Sequence, residues 1–379
     1  MKILHTNFLH GWGGQSNRIF IVCKGLLEKG VEVHLSAPDD SVLIEKSSHT
    51  DIKILHGLSY ASGIRLHKII PDVLKLRKYI IENKIDIVHL HGSQDSWVGA
   101  FACVGLHNVI VLRTKHNIFP MNDNFMNQLL YGKMIDGYVA ISQAIKKQIK
   151  EKKYIKNKPI AVIHSAVDMD QFENISDEDV IKFKNDFGIT RNNFLIGAVG
   201  RLRSEKGFEY LIKSIPNVVR KFPNVKFMIV GSGSLDADLK QLAKNTGVED
   251  YIIFTGFRKD VPVVLKAFDL FVMPSISEGL GTAVLEAMAC GKTIIASNIG
   301  GIPDSIKHEE TGILIPSATP SEISNAIISL MNNPNLAARL SINAKNFVKE
   351  NFTIENLVNG NYEFYKKLSR REKKTQREN

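Results

Sequence analysis

The sequence predicts an α/β protein built from two doubly wound, Rossmann-like domains that face each other across a cleft. Three observations lead to this fold class. Short apolar segments typical of strands alternate with stretches of helical periodicity along the whole chain. A polar, charged segment at residues 173–193, which we expect to form a linker and a short helix, separates two such series. The length of 379 residues suits about two domains, which we expect at residues 1–170 and 171–351.

The elements of the first domain follow from apolar runs that end at polar or glycine-containing turns. Strands are predicted at residues 2–6, 31–36, 85–90, 109–114, 137–141 and 160–163. Helices are predicted at residues 19–28, 64–83, about 122–134 and 142–153, with Ser142 as the N-cap of the last one.

The second domain begins with the apolar run 194–199, which is typical of a parallel strand buried on both faces. Further strands are predicted at residues 226–230, 252–254, 270–273, 293–296 and 313–315. Helices are predicted at residues 208–221, 235–245, 261–267, 283–290, 303–307, 320–331, 335–350 and about 354–368. A frayed end with a basic tail at 371–379 is expected to follow.

Composition and charge narrow the class of protein. The chain is 44% apolar and 23% charged, which is ordinary for a globular protein. Residues 1–170 hold 22 basic and 15 acidic side chains, whereas residues 171–365 hold 20 and 22. This basic first half favours an anionic partner, and without a nucleic-acid motif we expect an anionic membrane surface or glycan precursor.

Cysteine usage and the N-terminus indicate a cytoplasmic protein. The three cysteines are far apart and form no C-x-x-C motif, so we expect reduced, buried thiols. The first ten residues lack the apolar core of a signal peptide, and no apolar run reaches transmembrane length.

The stretch at residues 274–301 organises the second domain. Its glycines stand where a strand meets a helix, an arrangement that offers backbone N–H groups and partial positive charge to an anion. Glu278 and Glu286 bracket this turn, about 10 Å apart by the rise of a helix. That is wide for two acids sharing one glycosidic bond and suits hydroxyl groups on either side of a phosphate linkage. Alternatively, each acid is an ordinary loop or helix residue.

Candidate binding residues follow predicted strands in both domains. They are Gly13, Gly14, His91, His116, Arg201, Lys206, Arg258 and Glu278. Ligands of doubly wound sheets bind at the carboxyl ends of the strands. The positions of these residues therefore predict a binding cleft between the domains.

The chemistry of these residues leaves alternatives open. Arg201 and Lys206 on a glycine-flanked loop suit a diphosphate, although Glu205 could pair with either cation. His116 could be a general acid or base, a hydrogen-bond donor or a structural histidine.

A metal site is not expected. His89 and His91 lie on one face of a strand end, but no further zinc ligand stands out at a suitable spacing. Two D-x-D patterns, at residues 168–170 and 236–238, could hold a divalent cation but are favoured as turn and capping residues.

Taken together, these motifs resemble the retaining glycosyltransferases of family 4, the group 1 glycosyl transferases, which have the GT-B fold. The segment E-G-L-G-T-A-V-L-E-A-M-A-C-G is similar to their E-x7-E signature. G-R-L-R-S-E-K-G, F-T-G-F-R-K-D-V and G-G-I-P-D extend the resemblance, as do the W-G-G loop, D-I-V-H-L-H and T-K-H-N in the first half.

The resemblance implies a role for each matching residue. Arg201 and Lys206 would bind the donor diphosphate, Glu286 the ribose hydroxyls and Glu278 the donor sugar. The backbone amides of Leu280, Gly281 and Thr282 would face the sugar and the phosphate. Phe257 and Arg258 would lie beside the base. Gly13, Gly14 and His91 would lie on the acceptor side of the site. Gly14 would also approach the diphosphate, and His116 would lie near the reacting carbon of the donor sugar. A last helix at about 352–370 would pack back onto the first domain.

The expected function is that of a retaining glycosyltransferase without a cofactor or metal. It would move a sugar from a UDP-sugar, or a GDP-sugar, to a glycan or lipid-linked acceptor in bacterial envelope polysaccharide or lipopolysaccharide biosynthesis. Glu278, His116, Arg201 and Lys206 would carry the catalysis. Two alternatives are a nucleotide-sugar 2-epimerase of similar fold and a non-catalytic protein that binds sugar nucleotides.

Overall fold

The chain divides into two compact units in a computed structural model that describes residues 1–61 and 66–378. The first unit comprises Met1–Ala166 and Ile354–Asn379, and the second comprises Val167–Thr353. Each unit is built around a parallel sheet with helices packed against it.

The sheet of the first unit has seven strands in the order β3-β2-β1-β4-β5-β6-β7. The strands are β1 (Lys2–Thr6), β2 (Glu32–Ser36), β3 (Lys53–Leu55), β4 (Ile87–Leu90), β5 (Ile110–Lys115), β6 (Gly137–Ala140) and β7 (Ile160–Val162). Its helices are α1 (Gly14–Glu28), α2 (Val42–Ser47), α3 (Leu66–Asn83), α4 (Gln94–Ala102), α5 (Phe125–Asn127), α6 (Gln143–Lys150) and a π-helical segment, Gln128–Met134. A 3₁₀ turn spans Lys153–Ile155.

The sheet of the second unit has six strands in the order β10-β9-β8-β11-β12-β13. The strands are β8 (Phe194–Val199), β9 (Val225–Val230), β10 (Ile252–Gly256), β11 (Leu270–Met273), β12 (Thr293–Ser297) and β13 (Ile313–Ile315).

The helices of the second unit are α7 (Asp170–Glu173), α8 (Asp177–Asp186), α9 (Phe208–Lys221), α10 (Asp236–Asn245), α11 (Val261–Ala267), α12 (Thr282–Ala289), α13 (Ile302–Ser305), α14 (Pro320–Asn332) and α15 (Pro334–Asn351). Its 3₁₀ turns are Ser204–Lys206 and Glu249–Tyr251. The last helix, α16 (Ile354–Glu378), belongs to the first unit.

Both sheets bury the apolar strands that the sequence predicts, and the two-sheet, parallel α/β fold is confirmed. Strands β8, β11 and β13 and helices α9 and α11 coincide residue for residue with their predicted spans. Ser142 caps α6 as predicted, because its hydroxyl accepts a hydrogen bond from the Ile145 N–H at 3.4 Å. The three cysteines are free and buried, as predicted.

Several short elements were missed, and three of them show why local signals can be weak. Strand β3 is only three residues long, and α2 only six. Helix α4 contains Gly99, which disfavours a helix. A Cβ atom there would lie 2.3 Å from Leu90 Cδ2, so glycine allows α4 to pack closely on β4.

Two predicted boundaries were wrong. Helix α1 begins at Gly14 rather than residue 19, because polar side chains of its first turns are buried. Arg18 is 2% exposed and donates hydrogen bonds to the Ile163 carbonyl and the Ser165 hydroxyl. Helix α16 does not fray after residue 368 but continues to Glu378 through a segment rich in strong helix formers.

The remaining differences are small. The predicted helix at about 122–134 is a short α-helical turn followed by the π-helical segment. Residues 64 and 65 of the predicted helix 64–83 lie outside the described residues. Within the described part of the chain, no helix combines the length and the apolar character needed to cross a membrane.

Candidate active site

The loop after β11 leads into the N-terminus of α12, where the sequence places its acidic and glycine motif. Gly281 is the residue before α12 and has φ of +86°, a left-handed conformation that favours glycine. An added Cβ there would lie 3.6 Å from Glu278 Cγ, so the loop folds tightly around this position. Leu280 is buried, and its carbonyl accepts a hydrogen bond from Ser305. The loop before the first-turn amides of α12 is therefore packed against its neighbours.

Lys206 pairs with Glu278 in this loop. The Lys206 Nζ and Glu278 Oε2 atoms are 2.5 Å apart, and the two side chains are 17% and 16% exposed. The Glu205 carbonyl accepts hydrogen bonds from the N–H groups of Ile276 and Ser277. Glu205 therefore joins the loops through its backbone, and the ion pair of Lys206 is formed with Glu278.

Arg201 begins the loop after β8 and is exposed. It forms no ion pair with any residue in the described ranges. Gly231 packs against this loop, because an added Cβ there would lie 1.9 Å from the Gly200 carbonyl oxygen. The G-S-G segment after β9 thus supports the backbone beside Arg201 by close approach.

Glu286 lies in the second turn of α12 and is half-buried. Burial raises the pKa of its carboxyl to about 7, and the positive charge of Lys206 partly opposes that rise. A carboxyl group that changes charge near neutral pH is typical of functional sites.

Arg258 is held by Asp260, which the sequence reasoning quoted only as part of a motif. Arg258 Nε and NH2 donate to the two carboxylate oxygens of Asp260 at 2.8 and 2.5 Å. This bidentate contact lowers the pKa of Asp260, and the guanidinium also lies over the rings of Phe183 and Phe187. Phe257 beside it is 70% exposed.

In the first unit, the glycine loop precedes α1 at the carboxyl end of β1. A Cβ added at Gly11 or Gly13 would meet nothing within 4 Å. Gly14 is the first residue of α1, and Gly13 precedes it in extended conformation. This end of the sheet is therefore open to a ligand at the position where the sequence predicts one.

A small cavity of about 90 Å³ lies at the carboxyl ends of β4 and β5. Its lining includes Phe8, Gln15, His91, Ser93, Lys115 and His116. Lys115 donates to the carbonyls of Asn117 and Phe119, and burial lowers its pKa to about 7, helped by the charge of Arg113. The structure thus brings His91 and His116 together with the first turn of α1.

His5 joins these histidines, and the sequence reasoning missed it. His5 Nδ1 lies 3.0 Å from His91 Nε2, and His91 Nδ1 lies 3.0 Å from His116 Nε2. His5 is on β1, 86 positions from His91, so no local spacing could have revealed the contact. The only signal was that each histidine lies in or just after a predicted strand.

The structure also locates the residues considered for metal binding. The ring nitrogens of His5, His89 and His91 lie within 4.8 Å of one another. Those of His89 are hydrogen bonded to Tyr365 and Thr114, at 2.6 and 2.7 Å.

Both D-x-D patterns lie at helix starts. Asp168 accepts a hydrogen bond from Gln171, and Asp170 is the first residue of α7. Asp236 is the first residue of α10 and pairs with Lys240 at 2.7 Å. Acids in the first turn suit the helix dipole.

The predicted site residues thus form two groups. Arg201, Lys206, Phe257, Arg258, Glu278, Leu280, Gly281, Thr282 and Glu286 lie in the second unit, and Gly13, Gly14, His91 and His116 lie in the first. Within the second unit, Lys206 and Glu278 are in direct contact.

Comparison with known proteins shows the family of the chain. Residues 12–171 match the family described as Glycosyltransferase Family 4, and residues 179–347 match Glycosyl transferases group 1. An uncharacterized glycosyltransferase of Methanocaldococcus jannaschii is 34% identical over 266 residues, covering 66% of this chain and 65% of the relative. A UDP-Gal:alpha-D-GlcNAc-diphosphoundecaprenol alpha-1,3-galactosyltransferase of Escherichia coli is 29% identical over 77% of this chain and 78% of its own.

Solved structures share the fold. The Anabaena protein HepE, in complex with UDP and glucose, superposes with a TM-score of 0.82 at 22% identity, covering 97% of this chain and 100% of its own. A glycosyltransferase from Rickettsia africae superposes with a TM-score of 0.83 at the same identity, covering 97% and 98%. The chain is therefore a glycosyltransferase with the GT-B fold that belongs to the family 4, group 1 glycosyltransferases.

Proposed function

We propose that this enzyme is a retaining transferase that moves a sugar from a nucleotide-diphosphate sugar to a hydroxyl of a glycan or lipid-linked acceptor. The contact between Lys206 and Glu278, beside the N-terminus of α12, carries the proposal because it combines a cation for phosphate with a carboxylate for sugar hydroxyls. A UDP-sugar is the favoured donor. The names of the Escherichia coli galactosyltransferase and of the HepE complexes both include a uridine nucleotide.

The donor diphosphate would bind between Arg201, Lys206 and the first amides of α12. Lys206 carries three N–H donors, so it can contact Glu278 and a phosphate oxygen together. Arg201 is exposed, and its planar guanidinium is suited to bidentate phosphate contacts. These positive groups would stabilise the negative charge that develops on the leaving diphosphate, which is the main requirement of the reaction.

The rest of the donor would extend in both directions from the diphosphate. Glu278 would accept hydrogen bonds from the donor sugar, and Glu286 from the ribose. Phe257 and Arg258 would lie beside the base. The bond between Arg258 and Asp260 keeps the guanidinium in one orientation, which supports a positioning role for it.

The acceptor would bind at the first unit, at Gly13, Gly14 and His91, with His116 close to the reacting carbon. In the step that we propose, the acceptor oxygen attacks from the face that the diphosphate leaves. The departing phosphate oxygen takes the acceptor proton. Because attack and departure occur on the same face, the configuration at the sugar carbon is retained. No metal is required in this proposal, because Arg201 and Lys206 supply the positive charge.

In this proposal the first unit makes peripheral contact with an anionic membrane, where a lipid-linked acceptor would reside. Three apolar side chains after β5 are exposed: Phe119 by 58%, Phe125 by 75% and Met126 by 49%. The lysine-rich helix α6 is fixed beside them, because Gln148 donates to the Ile118 carbonyl and Lys152 pairs with Asp123. Apolar and basic groups together favour binding to anionic lipid. Such contact would bring the enzyme to a lipid-linked acceptor of bacterial envelope polysaccharide or lipopolysaccharide biosynthesis.

The deciding experiment measures nucleotide release from UDP-, GDP- and ADP-sugars, with and without polyprenyl-diphosphate-linked acceptors. We expect release from a UDP-sugar only when acceptor is present, with an unchanged anomeric configuration in the product. A new sugar nucleotide formed without acceptor would instead indicate a 2-epimerase. Tight nucleotide binding without any transfer would indicate a binding protein.

Variants identify the catalytic groups in the same assay. Arg201→Ala, Lys206→Ala and Glu278→Ala should each lose turnover, whereas Arg339→Ala, an exposed arginine on α15, should not. Full activity in all three site variants would contradict the proposed donor site.

A further inference from the structure

The histidines His5, His91 and His116, here called the imidazole chain, run from the interior of the first sheet to the small cavity. Their two N–N distances are both 3.0 Å. His5 and His91 are 0% and 4% exposed, whereas His116 is half-buried and lines the cavity. The chain therefore has one end in the protein interior and one end at the cavity.

Burial favours the neutral form of all three rings. Burial lowers the pKa of His5 to about 3, and burial also lowers the pKa values of His91 and His116 well below the usual range. The positive charges of Arg18 on α1 and Arg113 on β5 also lower the pKa of His116. The other polar groups facing the chain are His89 on β4, Thr114 on β5, Tyr365 on α16 and Asp95 on α4. Asp95 accepts a hydrogen bond from the backbone N–H of His91, not from its ring.

The number of protons limits the direction of the hydrogen bonds along the imidazole chain. Three neutral imidazoles carry three N–H groups, and the two hydrogen bonds use two of them. The third N–H must lie at one end, either on His5 Nε2 or on His116 Nδ1. His5 Nε2 is buried and has no hydrogen-bond partner in the part of the chain that is described. A buried N–H without an acceptor is rarer and more costly than an unused acceptor.

We propose that His5 and His91 are positioning residues that hold His116 in the Nδ1–H tautomer, so that it presents a neutral hydrogen-bond donor to the cavity. In this arrangement His5 Nδ1–H donates to His91 Nε2, and His91 Nδ1–H donates to His116 Nε2. His116 would then donate to a substrate oxygen, a sugar hydroxyl or a phosphate oxygen. It could not act as a general base through Nδ1, because that nitrogen already carries a proton.

The geometry favours this hydrogen-bonded chain over a metal centre at His5, His89 and His91. The rings of His89 and His91 are stacked, with centroids 4.3 Å apart and planes 29° apart. A tetrahedral zinc site needs nitrogens that converge on one point at about 2.0–2.1 Å from the metal. Here both nitrogens of His89 and both nitrogens of His91 already have hydrogen-bond partners.

The tautomer is directly measurable by long-range proton–nitrogen NMR on the full chain with ¹⁵N-labelled histidine. His116 should appear as the Nδ1–H tautomer in the free wild-type protein, without change between pH 6 and pH 8 (about one unit on either side of neutrality). His116→Gln assigns the signal. An Nε2–H tautomer or an imidazolium at His116 would overturn the proposal, and so would stoichiometric zinc in the purified protein.

Two substitutions of His5 test whether the chain sets the tautomer. His5→Asn places an amide donor near the position of Nδ1 and should keep the His116 tautomer. His5→Leu removes the donor and should give a mixture of both tautomers. His34→Leu is the matched control, since His34 is a fully buried histidine on β2 that bonds to Tyr79 and Glu32 instead. If His116 remains purely in the Nδ1–H tautomer in folded His5→Leu, His5 does not position it. If His5→Leu does not fold, the wild-type spectrum alone tests the direction of the hydrogen bonds along the imidazole chain.

The catalytic consequence rests on the proposed function, whereas the NMR measurement does not depend on it. With a working transfer assay, His5→Leu should lower kcat by about 10- to 100-fold with a smaller change in KM, as for other groups that orient a functional histidine. His5→Asn should restore most of that loss. If the wild-type protein shows the Nδ1–H tautomer at His116 but transfers no sugar, the result counts against the proposed function and not against the imidazole chain.

Discussion

Lys206 Nζ lies 2.5 Å from Glu278 Oε2, so a residue of the loop after β8 is joined to one of the loop after β11, 72 positions later. The Glu205 carbonyl ties the same loops together by accepting from Ile276 and Ser277. Both members of the pair are mostly buried, which reduces screening by solvent. The pair therefore links the proposed phosphate-binding and sugar-binding groups into one unit.

A double-mutant cycle should show this coupling. Lys206→Met, Glu278→Gln and the double variant should have non-additive free energies of unfolding, with a coupling of about 1 kcal/mol, because either single change leaves its partner unpaired. Urea unfolding measures the coupling. Turnover in Lys206→Met should fall by about 10²- to 10³-fold through loss of a donor to the leaving diphosphate. Additive unfolding free energies would show that the contact has no energetic significance.

Gly207, directly after Lys206, should be intolerant of a side chain. Its φ is +65°, and a Cβ there would lie 2.1 Å from the Pro274 carbonyl oxygen. Gly207→Ala should lower the free energy of unfolding by about 3 kcal/mol or more and reduce transfer, because the clash displaces the loop that carries Lys206. Thermal or urea unfolding gives the loss of stability.

Gly247 provides the matched control for that variant. It has the same φ of +65°, but an added Cβ would meet nothing within 4 Å. Gly247→Ala should cost only about 1–2 kcal/mol, the strain of a left-handed conformation, and should leave turnover unchanged. Equal losses in the two variants would contradict the role of the Pro274 contact.

Nucleotide binding should strengthen as pH rises from 6 to 8. The carboxyl of Glu286 has a pKa of about 7 in the folded protein, raised by burial. In the proposed donor site it accepts hydrogen bonds from the ribose hydroxyls, and the carboxylate does so better than the protonated acid, which uses one oxygen as a donor. The Kd for UDP should therefore fall about tenfold over this range. Titration calorimetry at several pH values measures it. Glu286→Gln should bind more weakly and lose this pH dependence, and an unchanged pH profile in that variant would assign the titration to another group.

The same group affects stability in the opposite direction. Because the pKa of Glu286 is raised on folding, the folded protein binds the proton more tightly than the unfolded chain. Its contribution to stability is therefore fully present below the unfolded pKa and is lost as pH rises towards 7. Unfolding of the wild type and of Glu286→Gln between about pH 4 and pH 8, a range that includes both the unfolded and the folded pKa, separates this contribution from that of other groups.

Chelation of metal ions should leave the transfer rate within about twofold of its starting value, because in the proposed donor site Arg201 and Lys206 provide the charge that a metal would otherwise supply. Initial rates before and after EDTA treatment, with and without added Mg²⁺, test this. Strict dependence on a divalent cation would instead favour a metal role for Asp168 and Asp170.

Much of the fold was predictable because its signals are local. The spans of β8, β11 and α9 follow from apolar patterns over a few neighbouring residues. The start of α1 was not predictable in this way, because Arg18 is buried by hydrogen bonds to a segment almost 150 positions away. Asp260 stood in a quoted motif, but only the structure shows that it holds Arg258.

The sequence by itself determined the two parallel α/β series, the glycine-started helix α12, and the residue types that a nucleotide-sugar site needs. Tertiary structure decided which of these residues meet. Strand β1 lies beside β4, and β4 lies beside β5, so His5, His91 and His116 come together although they are far apart in the chain. Strand β8 lies beside β11, which brings the loops of Lys206 and Glu278 together. Strand order is set by the packing of whole sheets, and no short stretch of sequence contains that information.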